Sequence, residues 1–407
     1  MRYISLCLLI LVFSCKSSDK LSPSEHEYVK PVDTTTRPIN TQQAKTYNYK
    51  GLSATNDFPA ARLNSFVQEN DSSFTASIWP ENYPINPSPW YAFKLWSEKE
   101  KEVYITLDYS NGAKHRYSPK ISKNGETWSL LDSTKIKRSV DGTSAQLQLV
   151  VSTDTLWVAA QEIEDHKRVG DWVQQMANNI NVTSSTAGNS AMGRSLYFLN
   201  LSKGAINEKP TVIIISRQHP PEVTGFLCMK AFVETIIEEG SQNGFLDKFR
   251  VMVYPLMNPD GVDMGHYRHN TGGVDLNRDW SKYHQPEIRQ VTNHMVRETT
   301  IHKNEVLLGL DFHSTYRDVY YTANDSIDRK IPEFTKAWLE KIRIAVGLKD
   351  INESPGKNES PTSLAWFNRQ FGATGITYEI GDDTPRDFIA TKGIESARAM
   401  MQLLLEE

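Results

Sequence analysis

The chain has 407 residues, which is long enough for two domains of ordinary size. Its 45 lysine and arginine side chains against 49 aspartate and glutamate side chains leave a formal net charge of −4. The sequence contains neither a basic block nor an acidic tail, which argues against a nucleic acid partner and against a partner recruited by charge alone.

The first residues are typical of a targeting segment. Met1 and Arg2 supply a positive start, and residues 4–13 form an apolar stretch too short to span a bilayer. The stretch ends in LVFSC, which resembles a bacterial lipobox, although a plain secretory signal cleaved nearby is the alternative. We therefore predict a lipoprotein-type signal peptide over 1–14 and lipidation of Cys15. The protein would then reside in a bacterial cell envelope, in the periplasm or as an outer-membrane lipoprotein, and would touch membrane only through this anchor.

Cysteine usage agrees with export without disulfides. Cys7 lies in the signal and Cys15 would carry lipid, so Cys228 alone remains and an intramolecular disulfide is not expected. Residues 15–48 are rich in Ser, Thr, Pro, Lys and Asp and lack apolar periodicity. This composition predicts a flexible tether between the lipid and the folded protein.

Residues 49–165 have the pattern of a small antiparallel β-sandwich. Short segments with β-branched and aromatic residues, such as SFTASIW and KEVYITLDY, alternate with turn signals such as SNG and VDGT. Five tryptophans fall in this region: Trp79, Trp90, Trp96, Trp128 and Trp157. Aromatic clusters of this kind form hydrophobic cores more often than carbohydrate platforms, so we assign them to the core and keep the platform as the alternative.

From residue 166 to 407 the pattern changes to alternating strands and helices. KPTVIIIS predicts a strand buried on both faces, and LCMKAFVETIIEEG predicts an amphipathic helix that ends at glycine. Further strand candidates such as FRVMVYPLMN, VLLGLDFHS and GATGITYEI are separated by helical patterns. This alternation predicts an α/β domain with a mixed or largely parallel sheet flanked by helices.

Residues that can bind a metal follow several of these predicted strands, at the strand ends where open α/β sheets collect their functional groups. His219 and Glu222 follow VIIIS, and His313 ends VLLGLDF. Two histidines and one glutamate are a common ligand set of catalytic zinc, so we predict one Zn²⁺ held by these three residues. Asp311 or Ser314 would orient His313 by a hydrogen bond.

Taken together, the motifs resemble those of the zinc metallocarboxypeptidases. The family pattern is present in order: HPPE at 219–222, NPDG at 258–261, Arg268, GVDLNRDW at 273–280, HS at 313–314 and Glu379. The proline at 221 and the spacing from HYR to DLNR are closest to the cytosolic-carboxypeptidase-like branch, and WYAFKLW resembles the β-sandwich that precedes its catalytic domain. The resemblance thus implies a mixed sheet flanked by helices, preceded by a β-sandwich.

The resemblance also implies roles for individual residues. Glu379 would act as general base and then general acid on water activated by zinc, and Arg268 would stabilise the oxyanion. Asn277 and Arg278 would bind the terminal carboxylate of a peptide or peptide-like substrate. The expected activity is therefore zinc-dependent release of C-terminal residues.

Several alternatives remain open at this stage. The same zinc chemistry would serve an amidase or deacylase, and a non-catalytic peptide- or glycan-binding lipoprotein would keep the fold without the reaction. Asp382 and Asp383 compete with Glu379 as base, and His266 and His269 are assigned to the pocket wall or surface. The sequence leaves open the side-chain preference, the natural substrate, the role of the sandwich, the oligomeric state and the group that replaces the family's capping tyrosine. Lys357, Arg369 and Arg386 are candidates for a cationic pocket that would bind a glutamyl side chain.

Overall fold

The computed structural model describes residues 21–82, 87–109, 112–324, 330–356 and 358–406. The predicted signal peptide over 1–14, the predicted lipidation site Cys15 and Lys357 lie outside these ranges. Across the described ranges, no helix combines the length and the apolar composition that a bilayer crossing requires.

The first half of the fold consists almost entirely of strands. Its strands are β1 Thr46–Tyr49, β2 Leu52–Thr55, β3 Ser65–Gln68, β4 Ser73–Ser77, β5 Ala92–Trp96, β6 Lys101–Asp108, β7 Lys120–Ser122, β8 Ser129–Leu130, β9 Ile136–Arg138, β10 Ser144–Val151 and β11 Leu156–Ala159. They form a six-stranded sheet in the order β1-β2-β5-β11-β7-β8 and a five-stranded sheet in the order β3-β4-β6-β10-β9. The two sheets correspond to the predicted sandwich.

Alternation of side chains explains how these two sheets enclose a core. Along β6, Val103, Ile105 and Leu107 are fully buried, and the residues between them are partly exposed. Most strand pairs are antiparallel as predicted, and the pair β4–β6 is parallel. Of the five tryptophans, Trp79 is 44% exposed and Trp90 is 3% exposed, so the predicted core role holds for Trp90 and not for Trp79.

The second half alternates helices and strands. Its strands are β12 Val182–Asn189, β13 Ser195–Leu201, β14 Thr211–Ser216, β15 Arg250–Tyr254, β16 Val306–Thr315, β17 Val319–Thr322, β18 Glu353–Ser354 and β19 Thr374–Gly381. Its helices are α1 His166–Met176, α2 Val223–Glu239, α3 Phe245–Lys248, α4 Pro259–Asp263, α5 Pro286–Ile301, α6 Phe334–Ala345, α7 Ser363–Phe371 and α8 Arg386–Glu406. The strands form one eight-stranded sheet in the order β12-β13-β15-β14-β16-β19-β17-β18.

The centre of this sheet is parallel. β14 pairs with β15 and β16, and β16 pairs with β19, in parallel register, whereas antiparallel pairs lie toward both sides. All six residues of β14 are buried, as expected for a strand covered by helices on both faces. The predicted α/β fold with a mixed sheet flanked by helices is confirmed.

Residues 21–45 contain neither helix nor strand, and several of them contact the second domain. Thr34 is buried, and its hydroxyl group donates to Asp279. The backbone N–H of Arg37 donates to the carbonyl of Gly272 at 2.7 Å. Within the segment predicted as a flexible tether, Thr34 and Arg37 are thus hydrogen-bonded to the second domain.

Candidate metal centre and active site

Three neighbouring strands bring the predicted site residues to one edge of the sheet. His313 and Glu379 occupy paired positions on the parallel strands β16 and β19. β14 lies on the other side of β16, and its last residue Ser216 pairs with Phe312. The residues that follow β14 therefore emerge beside His313. This is the arrangement that parallel strands produce at their carboxyl ends.

The corner after β14 is fixed by its own residues. Arg217 adopts a left-handed conformation with φ of +57°, and its Nη2 donates to the carbonyl of Pro220 at 2.6 Å. Pro220 and Pro221 lack N–H groups and cannot continue the strand ladder. Helix α2 begins directly after Glu222. His219 and Glu222 are thereby held three residues apart on one tight turn.

Three side chains meet at this corner with their donor atoms close together. His219 Nδ1 lies 2.8 Å from Glu222 Oε1, and His313 Nδ1 lies 2.7 Å from Glu222 Oε2. Donor atoms from all three residues lie within 4.8 Å of one another. All three side chains are nearly enclosed by protein. The arrangement can hold a metal ion.

The far nitrogen of each imidazole faces a carboxylate. His219 Nε2 lies 2.9 Å from Asp275 Oδ1, and His313 Nε2 lies 2.8 Å from Asp311 Oδ2. Such carboxylates keep a proton on Nε2 and leave Nδ1 as the metal donor. Of the two predicted partners of His313, Asp311 makes the contact, whereas the Ser314 hydroxyl accepts from the backbone N–H of Gly225.

Electrostatics and donor chemistry both suit a divalent cation. Burial alone would raise the pKa of the Glu222 carboxyl, but the imidazoles of His219 and His313 outweigh burial and lower it. Glu222 is therefore ionised. Two imidazole nitrogens and one carboxylate, with room for a fourth ligand, match a common donor set of catalytic zinc. The residues present thus fit the predicted ion.

Glu379 lies in the same cavity and is poorly solvated. Among the residues that the structure describes, its Oε2 has no hydrogen-bond partner. Burial raises the pKa of Glu379 to about 7, with Glu222 adding to the rise and His313 opposing it. A carboxylate oxygen without a hydrogen-bond partner in a cavity is available to exchange protons with a bound molecule.

Arg268 belongs to residues 264–275, which we call the arginine loop. This loop follows α4 and contains no helix or strand. The Arg268 guanidinium is paired with Asp275, with Nη2 and Nε 2.7 and 2.9 Å from Oδ2. Asp275 therefore contacts both Arg268 and His219. This double contact is a finding of the structure, since His219 lies 56 positions before Asp275 in the sequence.

Asn277 and Arg278 lie on a short 3-10 helix, Leu276–Arg278, directly after the arginine loop. The Asp275 side chain accepts from the backbone N–H of Asn277 and caps this turn. Asn277 Oδ1 accepts from the backbone N–H of Ser363, and Arg278 Nη1 donates to the carbonyl of Asn277. Both residues line the cavity that holds Glu379.

All seven predicted site residues within the described ranges line one cavity of about 420 Å³. They are His219, Glu222, Arg268, Asn277, Arg278, His313 and Glu379. Leu364 also lines the cavity, as do Thr362 and Thr377. The structure therefore brings together residues that span 161 positions of the sequence, counted from His219 to Glu379 inclusive.

Other candidates lie elsewhere. His266 and His269, predicted as pocket wall or surface, are instead buried and do not line the cavity. Asp382 is paired with Arg116 at 2.7 Å, outside the cavity. Arg369 donates to Tyr28 and to the carbonyl of Trp280, so it is occupied away from the cavity.

Arg386, a further candidate for a cationic pocket, is also engaged elsewhere. It pairs with Glu162 of the sandwich domain at 2.8 Å and does not line the cavity. Neither of the two described candidates, Arg369 and Arg386, thus supplies a cation to this cavity.

The cavity residues that the sequence did not indicate include Arg116, Tyr117, Tyr267 and Tyr321. The first two belong to the sandwich domain and reach the cavity across the domain boundary. Arg116 also donates to the Tyr267 hydroxyl at 2.7 Å. No spacing rule within one domain points to such residues, although the segment RYSPKIS resembles the family sandwich.

Comparison with known proteins supports this picture. The family model described as zinc carboxypeptidase matches residues 169–384, more than half of the chain. An uncharacterised protein from Zymomonas mobilis is 26% identical over 216 residues, which is 51% of this chain and 54% of that protein. Cytosolic carboxypeptidase 3 from Bos taurus is 24% identical over 305 residues, which is 67% of this chain and 30% of that protein. The chain thus spans less than two thirds of the length of each relative.

Solved structures share the fold. A metallo-carboxypeptidase from Burkholderia cenocepacia superimposes with a TM-score of 0.71 at 19% identity, covering 87% of this chain and 99% of that one. A metallo-carboxypeptidase from Pseudomonas aeruginosa, solved with (2-guanidinoethylmercapto)succinic acid, gives the same TM-score, identity and coverage. A match over 87% of the chain is longer than the second domain alone, so the shared fold includes the sandwich. The chain belongs to the zinc carboxypeptidase family.

Proposed function

We propose that the protein is a zinc metallocarboxypeptidase, with one zinc ion per chain, that hydrolyses the C-terminal amide bond of peptides or peptide-like substrates. The observation that carries this proposal is the composition of the 420 Å³ cavity. A metal-binding triad, a carboxylate with one unpartnered oxygen among the described residues, and cationic groups all line it. These are the parts that amide hydrolysis at a free carboxyl end requires.

In this proposal, a zinc ion would be held by three residues, with donor atoms His219 Nδ1, a Glu222 carboxylate oxygen and His313 Nδ1. When bound, zinc would polarise a carbonyl oxygen and lower the pKa of water to near neutral. Asp275 and Asp311 keep the two imidazole rings in the orientation and tautomer that ligation needs.

Glu379 moves the protons. Water adds to the scissile carbonyl carbon, and one of its protons passes to the Glu379 carboxylate. The C–N bond then breaks, and the same proton is delivered to the leaving nitrogen, which departs as an amine. Glu379 is suited to this exchange because one of its oxygens has no partner among the described residues.

Arg268 and Arg278 serve different negative charges. Arg268 stabilises the charge that develops on the carbonyl oxygen, and its pairing with Asp275 holds the guanidinium still. Arg278 forms no salt bridge with another described residue, so its charge is available to the terminal carboxylate of the substrate. Asn277 lies beside it and adds an amide donor. A clamp for a free carboxylate would restrict cleavage to the chain end.

We also propose that the protein is exported and anchored by a lipid on Cys15, which would place the cavity outside the bacterial cytoplasm, within reach of nutrient or cell-wall peptides. The support is the charge and length of residues 1–14 and the LVFSC sequence. Replacing Cys15 with serine should release the protein from membranes. Retained lipid labelling in Cys15→Ser would contradict the anchor and leave the catalytic proposal unaffected.

The proposed activity is tested by combining metal analysis with a substrate screen. Purified protein should contain about one zinc per chain, and His313→Ala should lose it. The screen would use peptides with varied C-terminal residues, γ-linked glutamyl peptides and muropeptides, with products identified by mass spectrometry. Release of single C-terminal residues supports the proposal. The proposal is contradicted if the zinc-loaded wild type cleaves no peptide of the panel. It is also contradicted if His313→Ala retains its full zinc content.

A further inference from the structure

The arginine loop has no secondary structure of its own, yet it carries Arg268 and Asp275. Loops of this kind are usually mobile unless other groups hold their backbone. In this protein, Asn270 ties one part of the loop to Gln285 and Glu287 of the catalytic domain. The groups that hold the backbone around Arg268 come from the sandwich domain. The contacts begin with Glu81, which lies between β4 and β5.

Glu81 is fully buried against the loop. Its Oε1 accepts from the backbone N–H groups of Arg268 at 3.0 Å and His269 at 2.8 Å, and its Oε2 accepts from the N–H of Tyr267 at 3.0 Å. One carboxylate thus binds three consecutive N–H groups centred on Arg268.

The charge on Glu81 strengthens these hydrogen bonds. Burial alone would raise the pKa of Glu81, but His266, Arg62 and the loop N–H groups outweigh burial and lower it to about 2. The carboxylate is therefore ionised at neutral pH. Hydrogen bonds to an ionised acceptor are roughly twice as strong as neutral ones.

Two further sandwich residues hold the loop on either side of Arg268. Arg62 is buried and donates through Nε to the carbonyl of Gly265 at 2.8 Å. Asn82 donates to the carbonyl of Gly273 at 3.1 Å, and its Oδ1 lies 2.7 Å from His269 Nδ1. The loop also packs closely at Gly265, where a Cβ atom would lie 2.1 Å from a sandwich carbonyl oxygen.

We propose that Glu81 is a positioning residue for Arg268, so that the sandwich domain completes the active site of the catalytic domain. This inference rests on the proposed role of Arg268. Glu81 fixes the backbone at Tyr267, Arg268 and His269, and thereby sets where the guanidinium meets the carbonyl oxygen of the substrate. A displacement of about 1 Å at such a group can cost about 10²-fold in rate.

Glu81→Gln is a close test because it keeps the shape of the side chain. The amide nitrogen would face a backbone N–H, so at least one of the three hydrogen bonds is lost. The exposed Glu126 of the same domain provides the matched control, Glu126→Gln. If Glu81→Gln does not fold, Glu81→Asp replaces it, since the shorter carboxylate keeps its charge but cannot reach all three N–H groups.

The first measurement is independent of activity. Hydrogen–deuterium exchange of zinc-loaded protein should show faster exchange in the arginine loop of Glu81→Gln, by roughly tenfold or more, with α5 unchanged. Glu126→Gln should exchange like the wild type in both segments. Unchanged exchange in the arginine loop of the Glu81 variant would overturn the inference whatever the protein's substrate proves to be.

The second measurement is a double-mutant cycle with Arg268→Ala on any peptide that the wild type cleaves. Glu81→Gln should lower kcat by about 10- to 100-fold with zinc content unchanged and KM altered by less than about threefold. In the Arg268→Ala background the same substitution should change kcat by less than about twofold, since Glu81 acts through Arg268. Equal losses in both backgrounds would overturn the inference.

The two measurements separate the failure of this inference from the failure of the proposed function. A wild type that cleaves no peptide contradicts the proposed function, and the exchange experiment still decides whether Glu81 holds the loop. A wild type that cleaves peptides, combined with equal losses in both backgrounds, preserves the function and removes the positioning role.

Discussion

The arginine loop and the metal corner, which we define as His219, Glu222 and His313, are held in place by different kinds of contact. His219, Glu222 and His313 stand at the ends of two buried parallel strands and the start of α2, so the catalytic domain positions them with its own sheet. The arginine loop is not part of the sheet, and around Arg268 its backbone is held by buried polar side chains of the sandwich, chiefly Glu81 and Arg62.

This difference predicts that substitutions in the two regions have different effects. The backbone of the metal corner is set by the packed sheet, and hydrogen bonds to Arg217, Asp275 and Asp311 complete its geometry. A loop held by a few charged hydrogen bonds depends on each of them, because a buried polar group that loses its partner costs about 1–3 kcal/mol. Substitutions at the corner should therefore change metal binding, and substitutions around the loop should change rate while zinc stays bound.

The largest effect is expected for Glu379→Gln, which acts beside the corner without touching a donor atom. Loss of the proton acceptor should lower kcat by about 10²- to 10⁴-fold at unchanged zinc content, measured by peptide hydrolysis and metal analysis. Asp383→Asn is the matched control four residues on and should retain activity. A larger loss in Asp383→Asn than in Glu379→Gln would assign the base elsewhere.

Arg268→Ala should follow, because it removes the charge that stabilises the developing oxyanion. We expect kcat to fall by about 10²- to 10³-fold, with zinc still bound. Arg297→Ala, on the exposed side of α5, should behave like the wild type. Loss of zinc in Arg268→Ala would mean that the loop and the metal corner form one unit and are not positioned separately.

Acid should weaken the sandwich's hold on the loop. The folded-state pKa of Glu81 is about 2 against an ordinary value of 4.5, so its ionisation stabilises the folded protein above pH 4.5 and this stabilisation is lost as pH falls toward 2. The difference in unfolding free energy between wild type and Glu81→Gln should shrink by about 2 kcal/mol between about pH 7 and about pH 3. Urea unfolding at several pH values measures it, with Glu126→Gln as the control. A pH-independent difference would show that the charge of Glu81 is not what holds the loop.

Asp311→Asn should give the smallest change, confined to the corner. Asp311 is fully buried against His313 Nε2, and its loss should weaken zinc binding by about 10- to 100-fold in a chelator competition. Asp247→Asn, at an exposed carboxylate on α3, is the control. An Asp311→Asn variant with wild-type zinc affinity would show that the sheet alone orients His313.

The corner was accessible from sequence because its signals are local. An aliphatic run, two prolines and a histidine after LLGLDF mark strand ends, and parallel strands present their ends together. The family pattern then adds Arg268, Asn277, Arg278 and Glu379 in order. Each of these residues lines the cavity in the structure.

The support of the loop was not accessible in this way. Glu81 and Arg268 are 187 positions apart, and the pair lies on different domains. Nothing in the sequence ENYP, which begins at Glu81, indicates that this glutamate is buried, because the residues next to a glutamate do not show whether another domain covers it. Asp275 was missed for the related reason that its two partners, His219 and Arg268, meet only in the folded chain.

The central claim is that a zinc site and a carboxylate clamp act together at a free peptide end. The most direct measurement compares hydrolysis of one peptide with a free C-terminus and the same peptide amidated, by wild type and by Arg278→Lys. We expect the wild type to release single C-terminal residues from the free peptide and to cleave the amidated peptide at least about tenfold more slowly. Arg278→Lys should discriminate less between the two peptides, because a lysine cannot bind the carboxylate bidentately. Equal cleavage of both peptides by the wild type, or cleavage at internal bonds, would contradict it.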